Sequence, residues 1–222
     1  MSFLDKIFTR KTNFSAGGLF LEDIPASAVL LKEPDKFVAP RKLDFRDMCI
    51  ETSNQGNYPH CAGYSTAGYI EVQNWRTLHY PEQVDGDKIY AEAKKLDGYS
   101  GPGTWIKWTV QGAMNLGLIK GTIEHIIPDR RKLMFAIHEY CVCIAGFDIT
   151  NEWNCVDGRG YIPKLNNSTF HGGHAVLCCG YGPEGVYIQN SWGSSWGLYG
   201  FAILSWEQFD SQFKDGVIIR RT

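Results

Sequence analysis

Apolar positions recur at helical spacing from Tyr64 through Ala67, Gly68, Val72 and Trp75 to Leu78, which predicts a helix beginning near Pro59-His60-Cys61. Pro59 suits that start, where a missing N–H costs little. Ile89, Tyr90, Ala93 and Leu96 mark a second helix over Asp87–Leu96, and the glycines from Gly98 to Gly103 break it. A third helix is expected over Ile106–Leu116 and a short fourth over Asp129–His138. Beyond these the period changes. Tyr140–Ile149, Ala175–Tyr181, Val186–Trp192, Gly200–Ser205 and Gly216–Arg220 are short apolar or alternating runs between glycine-rich turns, the pattern of strands. Gly182-Pro-Glu-Gly185 reads as a turn that folds the second and third of them into a hairpin. Helices first and strands second predict an α+β fold of two lobes with a cleft between them.

No repeat or low-complexity tract divides the chain, so residues 1–222 read as a single domain. Its helical lobe covers about 39–125 and its β-rich lobe about 126–222. Residues 1–42 carry Gly17-Gly18, Pro25, Pro34 and Pro40, and are expected to wrap irregularly. Within this stretch the extension 1–38 holds Phe14, Leu19, Phe20, Leu21, Ile24, Val29, Leu30 and Leu31, too apolar for a solvated tail. It is therefore expected to pack on the body, either as a strap across the back of the lobes or as a lid that limits access to the cleft.

Composition narrows the function. A 44% apolar and 21% charged balance is that of an ordinary globular protein, and a net charge of −2 offers no basic field for nucleic acid. No run approaches the roughly 20 apolar residues of a membrane span. The N-terminus also lacks the continuous apolar run of about 7–15 residues of a signal peptide, so a cytoplasmic product is expected. The seven cysteines are odd in number, and Cys178-Cys179 and Cys141-Val-Cys143 do not look like a disulfide framework. Five of them lie between 141 and 179 without a CxxC pair, so no metal and no other cofactor is expected.

Three side chains carry candidate chemistry. A thiol at Cys61, in the first turn of a helix, meets unpaired N–H groups and the positive end of the dipole, which favour the nucleophilic thiolate. Taken alone, Cys61 is equally well a small buried residue. His174 opens an apolar strand in His171-Gly-Gly-His-Ala-Val-Leu, and Asn190 closes the partner strand across the hairpin. An asparagine oxygen on the imidazole would fix the histidine's tautomer. Each alone is more often structural, a core histidine and a turn-capping asparagine.

The order Cys, His, Asn changes that reading. Gln55-Gly-Asn-Tyr-Pro-His-Cys61, His174-Ala-Val, Asn190-Ser-Trp-Gly193 with Trp196-Gly197, and Leu43-Asp-Phe-Arg46 together resemble the motifs of papain-like cysteine peptidases over roughly residues 40–205. Leu96-Asp-Gly98, Gly103-Thr104 and Gly172-Gly-His-Ala-Val176 are similar to the bacterial and phage branch. The resemblance implies a papain-like two-lobe fold, with the nucleophile on a central helix and a β-barrel-like C-terminal lobe. It implies Cys61 as nucleophile, His174 as general base and acid, Asn190 as its orienter, and Gln55 with the Cys61 N–H as the oxyanion hole. It further implies that Trp192 shields the Asn–His bond, and that Gly103 and Gly173 offer main-chain contacts to a peptide substrate. Tyr58 stands where the family has a cysteine and Ala62 where it has a bulky aromatic. The competing readings are a related thiol amidase, isopeptidase or peptidoglycan hydrolase, and a silent binding protein on the same scaffold.

Overall fold

In the computed structural model, residues 18–21, 24–50, 52–80 and 82–221 are described; Phe14 and Gly17 lie outside them. Five α-helices form: α1 (Cys61–Leu78), α2 (Gly86–Leu96), α3 (Ile106–Asn115), α4 (Arg130–Tyr140) and α5 (Trp206–Gln212). The first four fall within two residues of their predicted bounds. Asp85 and Asp129 cap α2 and α4 by accepting the Lys88 and Lys132 amides, which satisfies donors that have no partner inside a helix. The seven-residue α5 escaped the periodicity because it spans barely two turns. Its signal was the capping box, in which Ser205 and Gln208 bond reciprocally.

The strands are β1 (Leu43–Asp44), β2 (Thr122–Ile126), β3 (Cys143–Thr150), β4 (Phe170–Gly182), β5 (Gly185–Gln189), β6 (Phe201–Ser205) and β7 (Phe213–Arg220). They pair antiparallel in the order β2-β7-β3-β4-β5-β6, with β1 on β4. Gly182 faces Gly185 across the predicted hairpin turn. Sequence analysis missed β2 because it buries Glu124 and His125 beside Ile126, which removes the polar-apolar alternation.

The expected barrel-like lobe is not what forms, since the sheet stays open. Its two outer edges are met by irregular chain instead of by each other. The 29–31 segment pairs with the β2 edge, through Leu31 N–H to the His125 carbonyl (2.9 Å) and His125 N–H to the Val29 carbonyl (2.8 Å). Residues 160–162 cover β6 in the same way, through Ile203 N–H to Gly160 (2.7 Å) and Ile162 N–H to Ile203 (3.0 Å).

Helix α1 is the pillar of the fold. Eleven of its residues are buried, on faces turned to α2 and α3 on one side and to β3 and β4 on the other. Its broad burial fits an apolar pattern without a strongly polar face. Two polar pins fix its rotation. The Tyr69 hydroxyl donates to the Ile219 carbonyl (3.2 Å) and accepts the Ile219 N–H (2.9 Å), while Thr66 meets Thr109 at 2.7 Å. The first residue of α1 is thereby presented to the seam between helices and sheet.

Candidate active site

Cys61 is that first residue, and its side chain is completely buried. The N–H of Ala175 reaches its sulfur from β4, one residue after His174. Strand pairing sets His174 opposite Phe147 on β3, and the hairpin returns β5 so that Asn190 follows its last residue. His174 Nε2 lies 2.7 Å from Asn190 Oδ1. That oxygen also accepts the Ser191 N–H at 2.8 Å, which identifies it as the carbonyl end of the amide. Nε2 must therefore carry the hydrogen, and Nδ1 is left with its lone pair. Nδ1 is buried and has no hydrogen-bond partner among the described residues. The imidazole is thus set in the tautomer of a base whose accepting atom is unoccupied.

Rings hold it in place. The Trp192 indole lies 4.7 Å from the imidazole and is buried, and Trp153 meets it edge-on at 6.2 Å. Trp153 is itself pinned, donating its N–H to Gln212 (2.8 Å) and accepting from Trp196 through its carbonyl (2.8 Å). Excluding water here strengthens the His174–Asn190 bond.

Gln55 sits on the loop ahead of α1, tied to the same turn. Its N–H donates to the Ser191 carbonyl (2.9 Å), and its Oε1 accepts the Ser191 hydroxyl (2.6 Å). The amide is thereby turned so that Nε2 faces away from Ser191, with one hydrogen on the Tyr58 carbonyl (2.7 Å) and one remaining. His60, just before Cys61, stacks on Tyr90 at 3.8 Å and bonds Asp87 at 2.8 Å, which anchors the start of α1 to α2.

The cleft is filled by this chain's own residues 18–21. Leu19 donates its N–H to the Gly173 carbonyl (3.2 Å) on the β-rich side. On the helical side Thr104 N–H donates to the Gly18 carbonyl (3.1 Å), and Phe20 N–H to the Thr104 carbonyl (3.0 Å). Leu19 is buried, and with Leu21 it covers Gly146 on β3, while Phe20 packs on Trp105 at 4.8 Å. Two glycines make this approach possible. A Cβ at Gly173 would overlap the Leu19 carbonyl oxygen, and one at Gly18 would lie 2.6 Å from the Pro59 main chain.

Burial sets the charge state of the pair. Burial pushes the Cys61 thiol up to about 11, against the pull of the Ala175, Ala62 and Cys61 amides. Burial also lowers His174 to about 4, partly offset by its bond to Asn190. The thiolate expected from the helix terminus is therefore not the favoured state of this covered form, where desolvation outweighs the dipole.

The structure brings His174, Asn190, Gln55 and Trp192 together around Ser191, and ties Cys61 to the residue after His174 through the Ala175 N–H. Gly103 is placed differently from Thr104. Its N–H goes to the Tyr90 hydroxyl and its carbonyl accepts from Lys94, both at 3.0 Å, so the main-chain groups facing the segment belong to Thr104. Sequence reasoning missed Ser191 and Trp153. Ser191 stood inside the quoted Asn190-Ser-Trp string, whereas nothing local marked Trp153, which reaches His174 only through the sheet.

The family model described as papain family cysteine protease matches residues 111–217, a span that includes His174 and Asn190 and begins after Cys61. No curated protein matches the chain. Among solved structures, xylellain, a cysteine protease from Xylella fastidiosa, is similar with a TM-score of 0.82 and 19% identity, over 94% of this chain and 97% of that one. Procathepsin L2 from Tenebrio molitor larval midgut gives 0.73 and 20%, over 92% and 78%. The Carica candamarcensis cysteine protease CMS1MS2, in complex with E-64, gives 0.68 and 16%, over 82% and 99%. At these identities the structural likeness speaks for the fold.

Proposed function

We propose that this chain, a papain-like cysteine peptidase by its fold and by its match over residues 111–217, hydrolyses peptide bonds through Cys61 and is held latent by residues 18–21. The observation that carries the first part is the doubly fixed Asn190 oxygen, which reserves His174 Nδ1 as the base. Nδ1 takes the thiol proton as the sulfur attacks the scissile carbonyl carbon. The imidazolium keeps its Nε2–H on Asn190. The oxyanion is met by the Cys61 N–H and the remaining Gln55 Nε2 hydrogen, each donor contributing roughly 10²–10³ in rate. The C–N bond breaks as Nδ1 returns its proton to the amine, leaving a thioester on Cys61. Water, deprotonated by the same nitrogen, releases the acid and restores the thiol.

An extended peptide is the substrate class that the cleft favours, because both walls offer main-chain partners, Gly173 and Thr104, to a strand-like occupant. The observation that carries latency is that the segment already takes both sets of partners, beside a Cys61 and a His174 that are themselves completely buried. The test is labelling by a thiol-directed epoxide peptide analogue after removal of residues 1–23. Stoichiometric modification of Cys61, abolished in His174→Ala, is expected. A truncated, folded protein whose Cys61 reacts no faster than a free thiol overturns the reading.

A further inference from the structure

Behind the His174–Asn190 pair lies a cavity of about 20 Å³, lined among others by Ser65, Gly68, Gln189, Asn190 and the Glu71 carboxyl, which burial pushes up and whose Oε1 accepts the Val84 N–H (2.8 Å). That is room for about one water molecule, provided it finds two to four polar partners. The partners are there. Asn190 Nδ2 is buried, has no hydrogen-bond partner among the described residues, and belongs to an amide whose oxygen is already turned to His174 and Ser191. Ser65 spends its single hydrogen on the Cys61 and Ala62 carbonyls (2.9 and 3.2 Å), which leaves its oxygen able to accept. Gln189 donates its Nε2 to the Ile50 carbonyl (2.8 Å), which turns its Oε1 toward the position of a Gly68 Cβ, 3.7 Å away. One donor and two acceptors, each with its orientation fixed by another bond, therefore line the same one-water space.

We propose that this cavity is a built-in water site that locks the Asn190 amide, and that Ser65 and Gln189 are positioning residues for the catalytic pair. The water accepts the Asn190 Nδ2 hydrogen and donates to Ser65 Oγ and Gln189 Oε1. It gives the Asn190 Nδ2 an acceptor that an inverted amide would lose, so the amide does not flip and its oxygen stays on His174 Nε2. Helix α1 thus supports the base as well as carrying the nucleophile, with Ser65 one turn after Cys61. The inference rests on the peptidase reading for its kinetic consequence, but the water itself does not.

Two measurements on the full chain test it. A crystal structure at a resolution that orders internal waters should show one within hydrogen-bond distance of Asn190 Nδ2. Gly68→Ala places a methyl in the cavity at ordinary contact, 3.4 Å from Leu177 Cδ2, and should not lower the melting temperature, since alanine is the better helix former. Combined with Gly18→Ala, which opens the cleft, it should nevertheless leave Cys61 reacting with iodoacetamide about tenfold more slowly than in Gly18→Ala alone, and the acidic limb of that rate should move. Ser65→Ala, which removes one acceptor without adding volume, should shift the same limb in the same direction. A resolved cavity without that water overturns the proposal. So does a water in place while both variants, in the Gly18→Ala background, keep the rate and pH profile of Gly18→Ala alone. A Cys61 no more reactive than a free thiol in Gly18→Ala alone would instead count against the peptidase reading and leave the crystallographic result to decide the water site.

Discussion

Leu19 donates its N–H to the Gly173 carbonyl one residue before His174, so residues 18–21 are hydrogen-bonded to the strand that carries His174. The two expectations for the N-terminal extension are divided along its length. Residues 18–21 lie in the cleft. Residues 29–37 form a strap elsewhere, through Leu31 at β2, Glu33 on Lys132 (2.8 Å) and Phe37 against Phe135 (5.1 Å).

Two changes should therefore open the cleft without unfolding the protein. Gly18→Ala forces a Cβ into the Pro59 backbone, and deletion of residues 1–23 removes the segment while leaving the strap. Each is expected to raise the rate of Cys61 labelling at least about tenfold, and the deletion to lower the melting temperature by only a few degrees, since burial of Leu31 and Phe37 persists. Unchanged labelling in both variants, with the fold intact by circular dichroism, would show that the segment does not control access.

Acid should favour opening. In the covered form His174 stays neutral down to about 4, against an ordinary value of 6.5. Between those values an open form binds a proton that the covered form excludes, so opening gains up to about tenfold per pH unit as pH falls. Below about 4 both forms are protonated and the gain stops. Cys61 acts oppositely at the alkaline end, where opening releases a proton between 9.0 and about 11. Hydrogen exchange at Leu19 and Phe20, corrected for intrinsic rates, should show the greatest protection between these windows. Protection independent of pH from 6.5 to 4.5 would uncouple the segment from His174.

In the opened enzyme Gln55→Ala should lower kcat by about 10²–10³ with KM nearly constant, because an oxyanion donor acts in the transition state. Ser191→Ala releases only the Gln55 Oε1 and should cost less, about tenfold in kcat. A change confined to KM in Gln55→Ala would assign that side chain to substrate binding alone.

All seven cysteines carry free thiols, and Tyr58 occupies the place of a family half-cystine. Full activity of the opened enzyme in strong reductant is expected, with seven thiols titrated after denaturation. Two or more disulfides in protein taken directly from the producing cell would contradict this.

The helices α1 to α4 were legible because apolar positions recur at helical spacing over ten or more residues in each, and the hairpin because two glycines bracket its turn. The order of Cys61, His174 and Asn190 was legible as a resemblance, with Gln55 placed six residues ahead of the thiol. Periodicity records that a side chain is buried, not what buries it. Only the paired sheet could show that Trp153 reaches His174, that Thr104 rather than Gly103 faces the cleft, and that β2 and β6 are met by different loops instead of by each other. The same limit applies to the extension. Leu19 and Leu31 look alike along the chain, yet one is buried over Gly146 beside the active site and the other at the β2 edge, because long-range hydrogen bonds from Gly173, Thr104 and His125 decide where each segment lies. The charge state of Cys61 and His174 likewise follows from desolvation, a property of the assembled fold that no local motif contains.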